Sequence, residues 1–134
     1  MSEKILLFEV SSAVSSKVQK IASQMRIKTK VADKAEYGKT IGMIAETDDA
    51  VSSAGTAFSP DKSLMVMCGL TEKHMDRLLF ALRRDNVDIG YKAILTKTNA
   101  SWSVSRMYAH MELEHKLTHE YGGSRFFCMR LRKS

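Results

Sequence analysis

Apolar and polar positions along this chain fall into blocks whose spacing switches between that of strands and that of helices. Ile5 to Val10 is a short apolar run, the pattern of a strand covered on both faces. Ser11 and Ser12 follow as candidate helix caps, and Val14, Val18, Ile21, Ala22 and Met25 recur at helical spacing as far as Arg26. Ile27, Thr29 and Val31 alternate with Lys28 and Lys30, which predicts a half-exposed strand at a sheet edge. Asp33 and Glu36 have the spacing of a capping box, ahead of a helix with Tyr37, Ile41, Ile44 and Ala45 on one face. Gly38 and Gly42, if inside it, weaken it by about 1 kcal/mol each. From Thr47 to Ser63 the chain is small and polar and reads as one long, mobile loop. Leu64–Cys68 is a second apolar strand. Thr71 then caps a helix with a stripe of Met75, Leu78, Leu79 and Leu82, and Asp76, Arg77, Arg83 and Arg84 lie off that stripe. Tyr91–Thr96 predicts a fourth strand. Thr98, Asn99 or Ser101 then caps a last helix carrying Val104, Met107, Tyr108, Met111 and His115.

Four strands alternating with four helices predict an α/β fold: a compact parallel sheet with helical crossovers covering both faces. The lysine-bearing second strand belongs at an edge, which gives the order 2-1-3-4, a variant of the flavodoxin-like arrangement. No internal repeat is visible. Residues 1–121 form the domain, and 122–134 are a basic tail or an added strand, because Phe127, Met129 and Leu131 alternate.

Charge changes this picture only at the end of the chain. The net charge is +6 over 134 residues. Arg125, Arg130, Arg132 and Lys133 concentrate positive charge in the tail with no acid among them, while the body is nearly balanced. Arginines beside Phe126 and Phe127 could contact phosphates and bases, but a strand pairing along the sheet or across a homodimer accounts for the alternation better. No apolar run is long enough to span a membrane, and the polar start lacks a signal-peptide core, so the expectation is a cytoplasmic protein. Cys68 and Cys128 lack metal-ligand spacing and read as buried hydrophobes, and the many methionines read as core filling.

In an open parallel sheet, ligands bind beyond the carboxyl ends of the strands where the strand order reverses. For this order the crevice is lined by Ser11 and Ser12, by Gly69 and Thr71, and by Thr96, Lys97, Thr98, Asn99 and Ser101. Hydroxyls, an amide, a lysine and the free N–H groups of helix starts there suit a small phosphate or carboxylate. The same residue types are also the preferred helix caps, which is the simpler reading. If an anion binds there, replacing Asn99 should weaken its binding while costing about 1 kcal/mol or less of stability, unless Asn99 is the essential cap. Neither the G-x-G-x-x-G nor the P-loop pattern occurs, so no cofactor is implied. Trp102 beside this loop covers a core edge or stacks on a ring. His115 and His119, with Glu112, have helical spacing for a metal, but no third ligand is specified, and cationic side chains near a helix end explain them. His74, near Glu72 and Asp76, resembles any surface histidine, and no nucleophile with a base is specified.

Three stretches carry a resemblance: Gly69-Leu-Thr-Glu-Lys-His-Met-Asp-Arg-Leu-Leu-Phe-Ala-Leu-Arg, Tyr91-Lys-Ala-Ile-Leu-Thr-Lys-Thr-Asn-Ala-Ser-Trp, and Tyr37-Gly-Lys-Thr-Ile-Gly. Together they resemble a family of small Firmicute-type proteins known as domain of unknown function 3783, over most of the chain to about His115. The family has proline where this chain has Lys97. The resemblance implies a fold and no catalytic set. The function expected from the sequence is a non-catalytic binding or interaction module with a small-anion site. The alternatives are an enzyme acting on a phosphorylated or carboxylated small molecule, and a nucleic-acid accessory protein using its tail.

Overall fold

A computed structural model describes residues 3–46, 60 and 62–120, apart from the side chains of 35 and 117–120. The expected long loop and the C-terminal segment therefore lie outside the described residues. The elements are β1 (Lys4–Phe8), α1 (Ser12–Gln24), β2 (Lys28–Val31), a 3-10 turn (Lys34–Glu36), α2 (Ile41–Glu46), β3 (Leu64–Cys68), α3 (Glu72–Arg84), β4 (Tyr91–Ile94), a second 3-10 turn (Asn99–Ser101) and α4 (Val104–Glu120).

The four strands form one sheet in the order β2-β1-β3-β4, as the sequence pattern requires. The sheet is not wholly parallel. β1 pairs with β2 and β3 with β4 in parallel, but β1 and β3 run antiparallel, Lys4 facing Cys68 and Phe8 facing Leu64. This departs from the flavodoxin-like arrangement. The cause is the second connection: α2 ends near Lys4, whose Nζ donates to the Ala45 carbonyl at 2.8 Å, whereas β3 begins opposite Phe8. The described chain is thus at the Lys4 end of the sheet at Ala45 and enters β3 at the Phe8 end. A connection as long as residues 47–63 removes the constraint that a tight crossover places on strand direction.

Helices cover both faces, because β1 and β3 are buried at every position. Ile5, Leu7, Met65 and Met67 pack beneath α1 and α3 with Val18, Ile21, Leu78 and Leu82. Leu6, Phe8, Val66 and Cys68 pack on the other face against Ile41, Ile44, Val104, Met107 and Met111 of α2 and α4. Three local expectations are corrected. α2 begins only at Ile41, so Gly38 lies outside it, and Thr40 Oγ1 caps it by accepting from Met43 N–H. Gly42 is inside, where a Cβ would sit 2.9 Å from the Ala100 carbonyl oxygen. α4 is capped by Ser103, whose Oγ accepts from Arg106 N–H, and not by Thr98, Asn99 or Ser101; its buried stripe continues through Glu114, leaving His115 exposed. β2 lies at the edge, yet Lys30 is buried: its Nζ donates to Glu36 Oε2 and to the Ile44 carbonyl, both at 2.9 Å.

The antiparallel seam organises the molecule as two like units. β1 and α1 (4–8, 12–24) recur as β3 and α3 (64–68, 72–84), an offset of 60 from residue 4 to 64. After the extra Asp88–Gly90, β2 and the start of α2 (28 and 41) recur as β4 and the start of α4 (91 and 104), an offset of 63. Ser11 and Thr71 cap α1 and α3 by the same side-chain bond. Both helices end alike, with Arg26 (φ 59°) and Asn86 (φ 55°) left-handed, and with Ile27 and Val87 N–H donating to the carbonyls of Ala22 and Leu82. The ladder register maps onto itself about the Leu6–Val66 pair, and so does the isolated bridge between Thr40 and Ser103. An approximate two-fold axis therefore passes through both pairs, and the chain does contain an internal repeat.

Candidate functional site

The antiparallel seam separates the residues of the expected crevice. Ser11 and Ser12 follow β1 at the Phe8 end of the sheet. Gly69, Thr71 and the Thr96–Ser101 loop follow β3 and β4 at the Lys4 end. Helix starts diverge as well: α1 begins at one end, α3 at the other, and α2 and α4 meet at the Thr40–Ser103 bridge.

Most of the donors at the Lys4 end are already engaged. Asn99 is 4% exposed. Its Oδ1 accepts from Thr96 N–H at 2.8 Å, its Nδ2 donates to the Ile94 carbonyl at 2.9 Å, and its own N–H donates to Thr96 Oγ1. Asn99 and Thr96 thereby lock the turn that leaves β4. Ser101 Oγ donates to the Thr98 carbonyl, and Lys97 and Thr98 are exposed. At α3, Glu3 occupies the position an anion would take: Oε2 accepts from Thr71 N–H at 3.0 Å and lies 2.7 Å from His74 Nδ1. Burial acts to raise the Glu3 pKa, but the bonds from Thr71 and His74 and the His74 charge outweigh it, holding the carboxyl below its ordinary value. Ser11, Ser12 and Gly69 are exposed; Ser11 serves as the α1 cap, and Gly69 turns the chain at φ 71°.

The other residues of chemical interest resolve into structure. Trp102 is half-buried between the Arg106 guanidinium, 4.7 Å from its ring, and the His110 ring at 4.8 Å. His110 Nε2 pairs with Glu114 Oε1 at 2.7 Å. Burial pushes the Cys68 thiol up to about 12, and the charge of Lys4 offsets this only in part. Tyr37 is raised above its ordinary value by burial and by its 2.8 Å bond to Glu9. Among the described residues no three His, Cys, Asp or Glu side chains gather to hold a metal, and the His119 side chain lies outside them. No helix among them is long and apolar enough to cross a membrane.

A different feature stands out on the face covered by α1 and α3. An open groove of about 650 Å³ runs along their seam. Its floor and walls include Ile21 and Met25 of the α1 end and Leu79 and Phe80 of α3. Phe80 is 59% exposed and is the only exposed aromatic side chain among the described residues. Arg77, Arg83 and Arg84 line the rim with Gln24 and one acid, Asp76. Arg84 is held by Asp85 beside it, Nε to Oδ1 at 3.0 Å. From Ser12 to Arg26 the α1 segment carries Lys17, Lys20 and Arg26 and no acid. The sequence pattern set Arg77, Arg83 and Arg84 on the polar face of α3 but passed over Phe80. The available signal was a large aromatic off the Met75–Leu82 stripe.

Residues 63–117 match the family described as Domain of unknown function (DUF3783). The matched span holds two of the three stretches that carry the resemblance in the sequence; Tyr37–Gly42 lies outside it. It coincides with the second of the two structural units, from the residue before β3 into α4. No curated protein and no solved structure matches the chain.

Proposed function

We propose that this protein is a non-catalytic interaction module whose groove between α1 and α3 receives an acidic amphipathic helix of a partner protein. The observation that carries the reading is Phe80: a large apolar side chain more than half exposed, at the mouth of an apolar groove with an arginine rim. Leaving such a ring in water forgoes about 1.5–3 kcal/mol that burial would return. A groove between two helices suits a third helix, which reads it through apolar anchors spaced along one face. Arg77 and Arg83 against Asp76, with Arg84 paired to Asp85, leave a basic excess beside an α1 segment without acids, which favours a partner whose flanking positions are Asp or Glu. A concave seam between two helices suits a third helix better than a flat lipid surface.

The test is selection from a displayed library of amphipathic helical peptides, followed by fluorescence anisotropy with the enriched peptide. Enrichment should favour Leu or Phe anchors flanked by Asp and Glu. Phe80→Ser should weaken binding at least tenfold, and Arg77→Glu should weaken it in a salt-dependent way. Leu113, 57% exposed on α4 at the opposite face of the sheet, gives the control, and Leu113→Ser should leave affinity unchanged. Binding that is indifferent to Phe80, or selection of basic peptides, would overturn the reading. So would tighter binding to a single-stranded oligonucleotide or to anionic vesicles in the same assay.

A further inference from the structure

We infer that the unit spanning residues 63–117 is half of a fold, completed by pairing its first strand with a second copy of the same unit, and that residues 3–46 are that copy, fused in cis. Three independent observations converge on this.

The first is geometric. Every element from β1 to the start of α2 has a counterpart in the same order, and the correspondence extends to single hydrogen bonds. Ala32 N–H donates to the Leu7 carbonyl at 2.8 Å, and Leu95 N–H donates to that of Met67 at 2.9 Å. Lys28 N–H reaches the Glu3 carbonyl, and Tyr91 N–H reaches that of Ser63. Glu9 (φ 55°) and Gly69 (φ 71°) take the same left-handed turn after their strands. Chance similarity of two βαβα segments would not reproduce caps, left-handed residues and ladder exits at fixed offsets.

The second is self-complementarity. β1 and β3 meet so that Leu6, at the centre of the ladder, faces its own counterpart Val66, and Thr40 likewise bridges its own counterpart Ser103. Residues that meet their own counterparts lie on the axis of an isologous, two-fold interface. The seam also runs through the centre of the molecule: without β1, the β3 edge would expose a five-residue ladder flanked by side chains that are at most 2% exposed in the fold. A two-stranded parallel sheet with such an edge is not expected to stand alone.

The third is the family match, which begins at Ser63 and covers one unit only. A family whose extent is β-α-β-α with an apolar first strand needs a partner strand, and this chain shows what supplies it. From Lys4 to Ile27 no residue is identical to its counterpart 60 positions on, so the first copy escapes detection by sequence while keeping the shape.

The experiment is a matched graft in the full-length chain. Residues 4–26 are replaced by the sequence of residues 64–86, the structural counterpart, and in a control by residues 65–87, which have nearly the same composition but are shifted by one position. The shift turns every strand side chain to the wrong face. A second pair confines the exchange to β1, with residues 4–8 replaced by 64–68 or by 65–69. Circular dichroism, size-exclusion chromatography and thermal unfolding are read on all four. At least one matched graft should stay folded with a single cooperative transition, as a monomer or as a strand-exchanged dimer, while its slipped control loses that transition. Loss of folding in both matched grafts, or equal behaviour of matched and slipped chains, would overturn the inference.

Discussion

Replacing Asn99 by alanine tests whether the loop after β4 is scaffold. The side chain is 4% exposed and makes two of the bonds that hold the turn, to Thr96 N–H at 2.8 Å and to the Ile94 carbonyl at 2.9 Å. Alanine removes both and strands a backbone donor and a backbone acceptor in a site shielded from water. Each lost bond is worth about 1 kcal/mol net, and each stranded group adds up to about 1–3 kcal/mol unless water reaches it. With partial rescue by water, the expected loss is about 2–4 kcal/mol, more than the 1 kcal/mol suggested by the sequence. For a chain of this length that is a fall in Tm of roughly 10 °C. Thr98 is the internal comparison, because it is exposed and makes no side-chain capping bond; Thr98→Ala should stay within about 0.5 kcal/mol of the parent. Urea unfolding followed by circular dichroism gives both values with a common slope. An Asn99→Ala midpoint equivalent to less than about 0.5 kcal/mol of destabilisation would refute the scaffold reading.

Four further outcomes follow from the buried and paired groups. In a Cys128→Ser background, Cys68 should react with Ellman's reagent at pH 8 only as fast as the protein opens, because burial holds its thiol pKa near 12; reaction at the rate of a free thiol would contradict this. Since that value is raised above the unfolded thiol's, its stability contribution is complete below about pH 8.5 and declines as pH rises towards 12, which alkaline unfolding of Cys68→Ala should show by its smaller slope. Glu36→Gln should cost about 3–5 kcal/mol by leaving the Lys30 ammonium buried without its carboxylate, and Lys30→Met in the same chain should restore much of it; an unchanged midpoint in the single variant would be the contrary result. Glu3 has a depressed carboxyl pKa, so its contribution is present above about pH 4.3 and is lost as pH falls through the folded value; Glu3→Gln should flatten the acid limb of the stability profile, and an identical limb would remove the role given to Thr71 and His74.

Strand positions, strand order and the two apolar faces were legible in the sequence, because they depend on local periodicity. Leu64–Cys68 was bounded to the residue, and Ser11 and Thr71 cap the helices that their residue types suggested. Strand direction across the seam was not legible. It depends on where a connection of more than a dozen residues delivers the chain, and no residue pattern encodes that. The repeat was hidden for a related reason: burial constrains hydrophobic character and size, and Ile5 and Met65, or Val18 and Leu78, satisfy the same constraint with different letters. The expected anion crevice was assembled on the assumption of parallel strands, so one reversed pairing sent Ser11 and Ser12 to the far end. The groove was missed because it is made by two helices together, and only the position of Phe80 off its stripe hinted at it.

The two buried lysines show how one difference between the units propagates. Lys4 and Lys30 correspond to Leu64 and Ala93 of the second unit, all four nearly inaccessible and all on the face beneath α2 or α4. Ordinary burial rules make lysine the anomaly at such a site. The difference lies above them. α4 continues from Val104 to Glu120, so the sheet beneath its counterpart positions meets the side of a helix, and apolar Leu64 and Ala93 fit. The described part of α2 runs from Ile41 to Glu46, and its Ile44 and Ala45 carbonyls lie over the same part of the sheet. Carbonyls buried there need donors from the protein. Lys4 Nζ meets the Ala45 carbonyl at 2.8 Å and Lys30 Nζ meets that of Ile44 at 2.9 Å, with Glu36 balancing the second charge. Each ammonium also suits the negative end of the helix dipole. The charged positions of the first unit thus serve carbonyls of α2 on a shared frame. Both ammonium groups are thereby engaged by α2 carbonyls, and that of Lys30 by Glu36 as well.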